Sequence, residues 1–339
     1  MTKLVASQRE MATVEMTAGD ASANRFQRVA HAKINLSLHV TGRRDDGYHL
    51  LDSLVGFAAL GDIVSISSAT ADVFEISGPF SQMLSKESPD DNLVVKARDW
   101  LKARHGDLGL HISSSRIHLQ KRLPIASGIG GGSSDAAATL GALARLWRTP
   151  ADVLEDHATI AAALGADVPM CLHQSPLRVT GIGEKIAPWL HVPLLPCVLV
   201  NPGQAVSTPA VFKALGRRDN EPLNGMPPTF GSVEELAHWL RTETRNDLQA
   251  PAQSLCPPIE TCRDALHRSG ALLARMSGSG ATCFGLFGTI EGAQNAASAI
   301  AQHQPEWFVE TTAILPSPPQ RDEDYGKWVE SMKLVRSLH

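Results

Sequence analysis

From Ala30 to Val40 the even positions are Ala30, Ala32, Ile34, Leu36, Leu38 and Val40, all apolar, while the odd positions are His31, Lys33, Asn35, Ser37 and His39. A period of two predicts a β-strand with one buried face. Order is expected to begin near Arg28, and Thr41–Gly47 reads as a charged, glycine-bounded loop. Ile63–Ser67, Val73–Ser77 and Ile112–Leu119 are further strand candidates. Leu93, Val94, Ala97, Trp100 and Leu101 recur with helical spacing.

The segment Leu123-Pro-Ile-Ala-Ser-Gly-Ile-Gly-Gly-Gly-Ser-Ser-Asp-Ala-Ala-Ala138 leads from a strand through a glycine loop into an Ala/Leu-rich helix that runs to about Trp147. A second helix is expected from Val153 to Leu164, ending at Gly165, a residue suited to the turn after a helix. In the second half, Cys197–Val200 reads as a buried strand and Ser207–Phe212 as a capped helix start with Pro209 early in the helix. Ser232 to Glu235 is a capping box. Ala271–Met276 and Thr282–Phe287 read as strands around Ser277-Gly-Ser-Gly280, followed by a helix near Glu291–His303 and a strand near Phe308–Leu315. Trp328, Met332 and Val335 suggest a docking helix in the tail. Strands and helices mix in both halves, so the class is α+β or α/β.

Composition narrows the possibilities. At 339 residues the chain is long enough for about two domains, and a hydrophobic fraction of 43% supports a sizeable core. The formal net charge of −4 argues against a general nucleic-acid binder. The longest apolar run, Val192–Val200, contains two prolines and is far shorter than the roughly twenty residues of a spanning helix. Five cysteines (Cys171, Cys197, Cys256, Cys262 and Cys283) form no C-x-x-C pair, which suggests reduced thiols in a cytoplasmic protein and no zinc site. Residues 1–27 read as a disordered extension, without the apolar core of a secretory signal.

The chemistry concentrates in Gly128–Asp135. Glycines let the backbone take positive φ and approach a ligand closely. Successive N–H groups and a helix N-terminus then suit an anion, and Ser133 and Ser134 add hydroxyls. The spacing is neither the Walker A pattern nor the dinucleotide G-x-G-x-x-G. Five small residues before a capped helix exceed what a tight turn needs, so a phosphate cradle is the better reading.

Pro124–Ala137 resembles the central motif of the GHMP kinase superfamily. Ala32-Lys-Ile-Asn-Leu36, Gly42-Arg-Arg-Asp-Asp-Gly-Tyr-His49, Leu164-Gly-Ala-Asp-Val-Pro169 and Ser277–Gly280 resemble, in order, the motifs of the branch that phosphorylates a cytidine diphosphate-linked methylerythritol. The likeness runs from about Arg28 to Leu315. It implies a two-domain α+β fold: an N-terminal ATP-binding domain over 28–190 resembling ribosomal protein S5 domain 2, and a ferredoxin-like C-terminal domain over 191–315, with a tail over 316–339. It also implies ATP with Mg²⁺ as the phosphoryl source, a small-molecule acceptor, and no nucleic-acid or membrane partner. A homoserine- or mevalonate-type kinase and a silent nucleotide-binding module are the alternatives.

The same resemblance assigns roles. Lys33, which by pattern alone is a solvated strand lysine, lies beside the acceptor hydroxyl with Asn35. Asp167, otherwise a helix cap, is the general base. Pro124, Ile125, Ala126, Ser127, Gly128, Ile129, Gly130, Gly131, Gly132, Ser133 and Ser134 hold the nucleotide, with Asn92 and Lys121 as further ATP contacts. Tyr48 and Phe212 clamp the cytosine ring, His49 bonds its edge, and Thr208 and Ile182 contact substrate. Asp135 stands where relatives also carry asparagine. An acid there repels phosphate unless it faces the helix cap or a cation.

Overall fold

The computed structural model describes residues 25–84, 88–227, 229–319 and 328–334. The expected extension lies outside these residues up to position 24, as does Val335. Residues 328–334 are helical, where Trp328 and Met332 suggest a helix. The chain forms two compact units, each gathered from several stretches. The first takes 25–30, 61–123 and 131–172; the second takes 31–60, 124–130 and the chain from His173 onward.

The described residues open with two long strands, β1 (Arg25–Arg43) and β2 (His49–Ala69). The charged loop is shorter than the sequence suggests, because Thr41–Arg43 continue the strand. The turn is closed by Arg44 N–H donating to the Tyr48 carbonyl at 2.8 Å and Gly47 N–H donating to the Arg44 carbonyl at 3.0 Å.

In the first unit, the far end of β2 pairs antiparallel with β4 (Ser114–Gln120), from Ile63 opposite Gln120 to Ala69 opposite Ser114. β3 (Val73–Ser77) runs parallel to β4, and helix α1 (Leu93–Asp107) lies in the connection between them. Asn92 caps α1, its side-chain oxygen accepting from Val94 N–H at 2.9 Å. Helix α2 (Gly131–Trp147) starts earlier than Ser133 and buries Ser134 to Leu140 without a break. Gly141 interrupts its alanines because a Cβ there would overlap the guanidinium of Arg28, a fit that offsets the ~1 kcal/mol helix penalty of glycine. The helix expected from Val153 to Leu164 is two, α3 (Ala151–Glu155) and α4 (His157–Leu164). Asp156 separates them by accepting from Thr159 N–H at 3.2 Å, which starts a new helix. Helix α5 (Val168–His173) follows Asp167.

In the second unit, β5 (Leu177–Gly181) pairs antiparallel with β2, from Leu51 opposite Gly181 to Val55 opposite Leu177, and β6 (Lys185–Pro188) pairs with β5. A further antiparallel set comprises β7 (Leu195–Asn201), β8 (Leu273–Met276), β9 (Cys283–Leu286) and β10 (Phe308–Ile314). Their order is β10-β7-β9-β8. Counted along the chain this is 4-1-3-2, with helices before the second and fourth strands, which is the ferredoxin-like arrangement. The helices are α6 (Thr208–Ala214), α7 (Val233–Glu243), α8 (Gln249–Leu255), α9 (Pro258–Arg268) and α10 (Ile290–His303). Val198, Val200, Ile259, Leu266 and Ile300 share one buried cluster, each contributing roughly 1.5–3 kcal/mol by leaving water. Ser232 caps α7 as expected, but Glu235 reaches back to Gly231 N–H, one residue beyond the box. All five cysteines are buried, and none forms a disulfide among the described residues. Among the described residues no helix is long and apolar enough to cross a membrane.

Candidate active site

β1 corrects the one-face expectation. Lys33, Asn35, Ser37 and His39 are 7%, 5%, 0% and 1% exposed, so its polar face is also interior. Lys33 is therefore not a solvated strand lysine. A strand buried on both faces must satisfy its polar side chains internally. Ser53 Oγ donates to the Ser37 carbonyl at 2.6 Å and accepts from Asn35 Nδ2 at 2.8 Å. A hydroxyl has one proton, so this bond fixes the Asn35 amide and leaves its Oδ1 as the inward end. That oxygen is buried without a hydrogen-bond partner.

The second unit holds the first part of the glycine loop. Ala126, Gly128 and Gly130 take φ of 50°, 76° and 65°. Alternating positive φ turns peptide N–H groups toward a common side, as in anion-binding nests. Ala126 sits in this region without being glycine, a local strain the surroundings must hold. They do so from several sides. Ser127 Oγ donates to the Pro124 carbonyl at 2.6 Å, the Ser127 carbonyl accepts from Thr282 N–H at 3.0 Å, and the Ile129 carbonyl accepts from Lys33 N–H at 2.8 Å. Ser277 Oγ donates to the Gly128 carbonyl at 3.1 Å and accepts from Asn35 N–H at 3.1 Å. A Cβ on Gly128 would stand 2.6 Å from the Gly280 carbonyl oxygen, so the Ser277–Gly280 turn needs glycine opposite it. Asn246 secures that turn by donating to the Met276 and Gly278 carbonyls at 2.8 and 2.9 Å.

The same unit carries the residues expected at the acceptor. Thr208 and Phe212 lie one turn apart on α6, and Thr208 Oγ1 is 2.7 Å from Ser279 Oγ. The ring stacked on Phe212 is that of His49, with centroids 4.5 Å apart and planes 23° apart. Tyr48 is 60% exposed, because neighbouring side chains at the head of β2 point to opposite sides. Burial, followed by the charges of Arg43 and Arg218, lowers the His49 pKa, and its Nε2 is buried without a partner. Ile182 lies in the β5–β6 turn, with its N–H donated to Glu184 at 2.6 Å.

The first unit holds the remainder. Gly131, Gly132, Ser133 and Ser134 form the opening turn of α2, whose N–H groups have no preceding turn to bond. Ser133 is half-buried, while Ser134 is buried with its hydroxyl on Cys171 Sγ at 3.5 Å. Asn92 is the α1 cap described above. Asp167 is half-buried, and its carbonyl accepts from Cys171 N–H at 3.2 Å. Lys33 and Asp167 fall in different units.

Lys121 is not an exposed strand end. Its ammonium is 2.7 Å from Asp135 and also bonds Asp62. Burial opposes its charge, but Asp135 and Asp62 outweigh burial and raise its pKa. Asp135 thus faces a cation, which removes the expected repulsion. Burial, with Asp62 adding to it against the pull of Lys121, pushes the Asp135 pKa up to about 8. Asp62 and Asn246 escaped the sequence reading. A lone acid in the apolar run Leu54–Ile66 was the available signal for Asp62.

The chain matches the family described as GHMP kinases N terminal domain over residues 92–175 and GHMP kinases C terminal over 221–306. It is 51% identical over 306 residues to "4-diphosphocytidyl-2-C-methyl-D-erythritol kinase" of Brucella melitensis biotype 1, covering 89% of this chain and 99% of that one. It is 50% identical over 292 residues to the protein of the same name from a Chelativorans species, covering 86% and 97%. Among solved structures it is similar to "4-(cytidine 5'-diphospho)-2C-methyl-D-erythritol kinase", at a TM-score of 0.69 and 32% identity over 85% of this chain and 99% of that one. A homoserine kinase from Cytophaga hutchinsonii shares the fold at a TM-score of 0.60 and 18% identity, covering 88% and 98%. With both halves of the family matched on one chain, and relatives half-identical over most of its length, this protein belongs to the GHMP kinase family.

Proposed function

We propose that this chain transfers the γ-phosphoryl group of ATP, with Mg²⁺, to a hydroxyl of 4-diphosphocytidyl-2-C-methyl-D-erythritol, a step of the non-mevalonate route to isoprenoid precursors. The observation that carries the reading is the glycine loop: alternating positive φ at Ala126, Gly128 and Gly130, running straight into α2. The substrate assignment rests on the names of the half-identical relatives. The N-terminal domain over 28–190 and C-terminal domain over 191–315 belong to the same reading. Buried thiols that form no disulfide favour the cytoplasm.

Phosphoryl transfer asks for positioning and charge neutralisation more than covalent help. In this reading the backbone from Pro124 to Ser134 cradles the phosphates, and Asn92 and Lys121 belong to the nucleotide side. Mg²⁺ prefers oxygen and stays largely hydrated on substrate phosphates. The half-buried Ser133 hydroxyl, in the first turn of α2, is a protein oxygen of the right kind. Bound Mg²⁺ would neutralise charge on the phosphates. Lys33 supplies positive charge at the acceptor end of the loop, and the unpaired Asn35 Oδ1 accepts a hydrogen bond from an acceptor hydroxyl. Asp167 takes the proton of the attacking hydroxyl. Tyr48, Phe212 and His49 hold the cytosine, with Thr208 and Ile182 as further contacts. An assay of ADP release across the cytidyl substrate, homoserine and mevalonate tests the reading. Preferred turnover of the cytidyl compound is expected, and equal or better turnover of either alcohol would remove the assignment.

A further inference from the structure

We propose that Asp62, Lys121 and Asp135 form a buried tether that fixes both ends of the glycine loop and thereby sets its affinity for nucleotide phosphates without touching them. The inference deepens the proposed function and rests on the loop being the phosphate cradle. Ile63 pairs with Gln120, so continuing that register brings Asp62 beside Lys121. Asp62 Oδ1 accepts from the N–H groups of Arg122 at 2.5 Å and Leu123 at 2.9 Å, gripping the backbone just before the loop. Lys121 carries the connection to Asp135, inside α2 just after the loop. Everything between Leu123 and Asp135 is loop or helix start.

The tether lies against the first residue of α2. A Cβ on Gly131 would lie 3.6 Å from Lys121 Nζ and 3.9 Å from Asp62 Oδ2. The side chains of Lys121, Asp62 and Asp135 are 4%, 0% and 4% exposed. The ammonium of Lys121 is engaged by the carboxyl groups of Asp62 and Asp135, so it acts on a nucleotide through them, as a positioning residue. Stability alone is a weak reason for such a group, since apolar side chains often replace buried ion pairs at no loss. A loop holding a strained alanine and two left-handed glycines needs fixed ends, and an ion network supplies direction that apolar packing lacks. One Asp135 oxygen is buried without a partner. The elevated pKa is consistent with a protonated Asp135, a form whose charge and shape asparagine copies.

The test compares Asp135→Asn, Asp135→Leu and Lys121→Gln, with Gly130→Ala as the loop control. The readouts are ATP and acceptor KM, direct ATP binding and cooperative melting. Asp135→Asn is expected within about twofold of wild type, while Asp135→Leu raises ATP KM about tenfold and leaves acceptor KM within about twofold. A folded Asp135→Leu with unchanged ATP KM, or with both KM values rising together, overturns the tether. Should that variant not fold, Lys121→Gln is read in the same two ways. If Gly130→Ala raises ATP KM and the tether variants do not, only the tether fails. If Gly130→Ala leaves ATP binding unchanged, the phosphate-cradle reading itself fails.

Discussion

The side chain of Lys33 lies along the α-carbon of Gly130: a Cβ on Gly130 would stand 3.0 Å from both Cβ and Cε of Lys33. The glycine is required twice over, because its φ is also +65°. The lysine and the loop thus occupy one packed unit, and a change in either moves the other.

Gly130→Ala should therefore disturb both partners. An alanine there adopts a disfavoured left-handed conformation, at roughly 1–2 kcal/mol, and pushes Lys33 aside. Higher ATP KM together with lower kcat is expected in steady-state kinetics. A change in neither would separate Lys33 from catalysis.

Replacing Asp167 with asparagine keeps size and shape but removes the proton acceptor. Turnover should fall by about 10²–10⁴-fold, the range supplied by a general base, with ATP binding by titration unchanged. Wild-type turnover in the purified variant would exclude Asp167 as the base.

Because Tyr48 is 60% exposed, Tyr48→Ala should leave the melting temperature in place. If its ring stacks on cytosine, the acceptor KM rises by about 5- to 150-fold, corresponding to ~1–3 kcal/mol of base stacking, while ATP KM stays constant. An unchanged acceptor KM would remove Tyr48 from the substrate site. His49 and Phe212, already stacked on each other, would remain to hold the base.

Asp135 gives the fold a pH dependence of defined sign. Its folded pKa, about 8, lies above the ordinary value of 3.8, so the folded protein favours the protonated acid. The associated stability is complete below pH ~4 and is lost as pH rises toward 8. Asp135→Asn cannot titrate, so denaturation midpoints of wild type should fall relative to the variant across that window. Parallel curves would mean the acid is already ionised at low pH.

Much of the backbone was legible in the chain alone. Period-two alternation located β1, glycine and capping residues bracketed the α2 and α7 starts, and Val73–Ser77 was placed to the residue. These are local signals, decided by side-chain period and by which residues tolerate positive φ. The loop was legible for the same reason, since runs of glycine before a helix are a statement about φ.

Tertiary structure decided the partners. No local pattern brings Asp62 to Lys121, 59 residues away; the β2–β4 register does. That register turned Lys121 from an exposed strand end into a buried cation and Asp135 from a repulsive acid into its counterpart. Packing on both faces of β1 likewise buried Lys33 and Asn35, which alternation alone left facing solvent. The direction of the β2 strand put His49, and not Tyr48, on Phe212. Sequence period fixes which side chains share a face of one element, whereas what that face meets depends on chain brought in from far along the sequence.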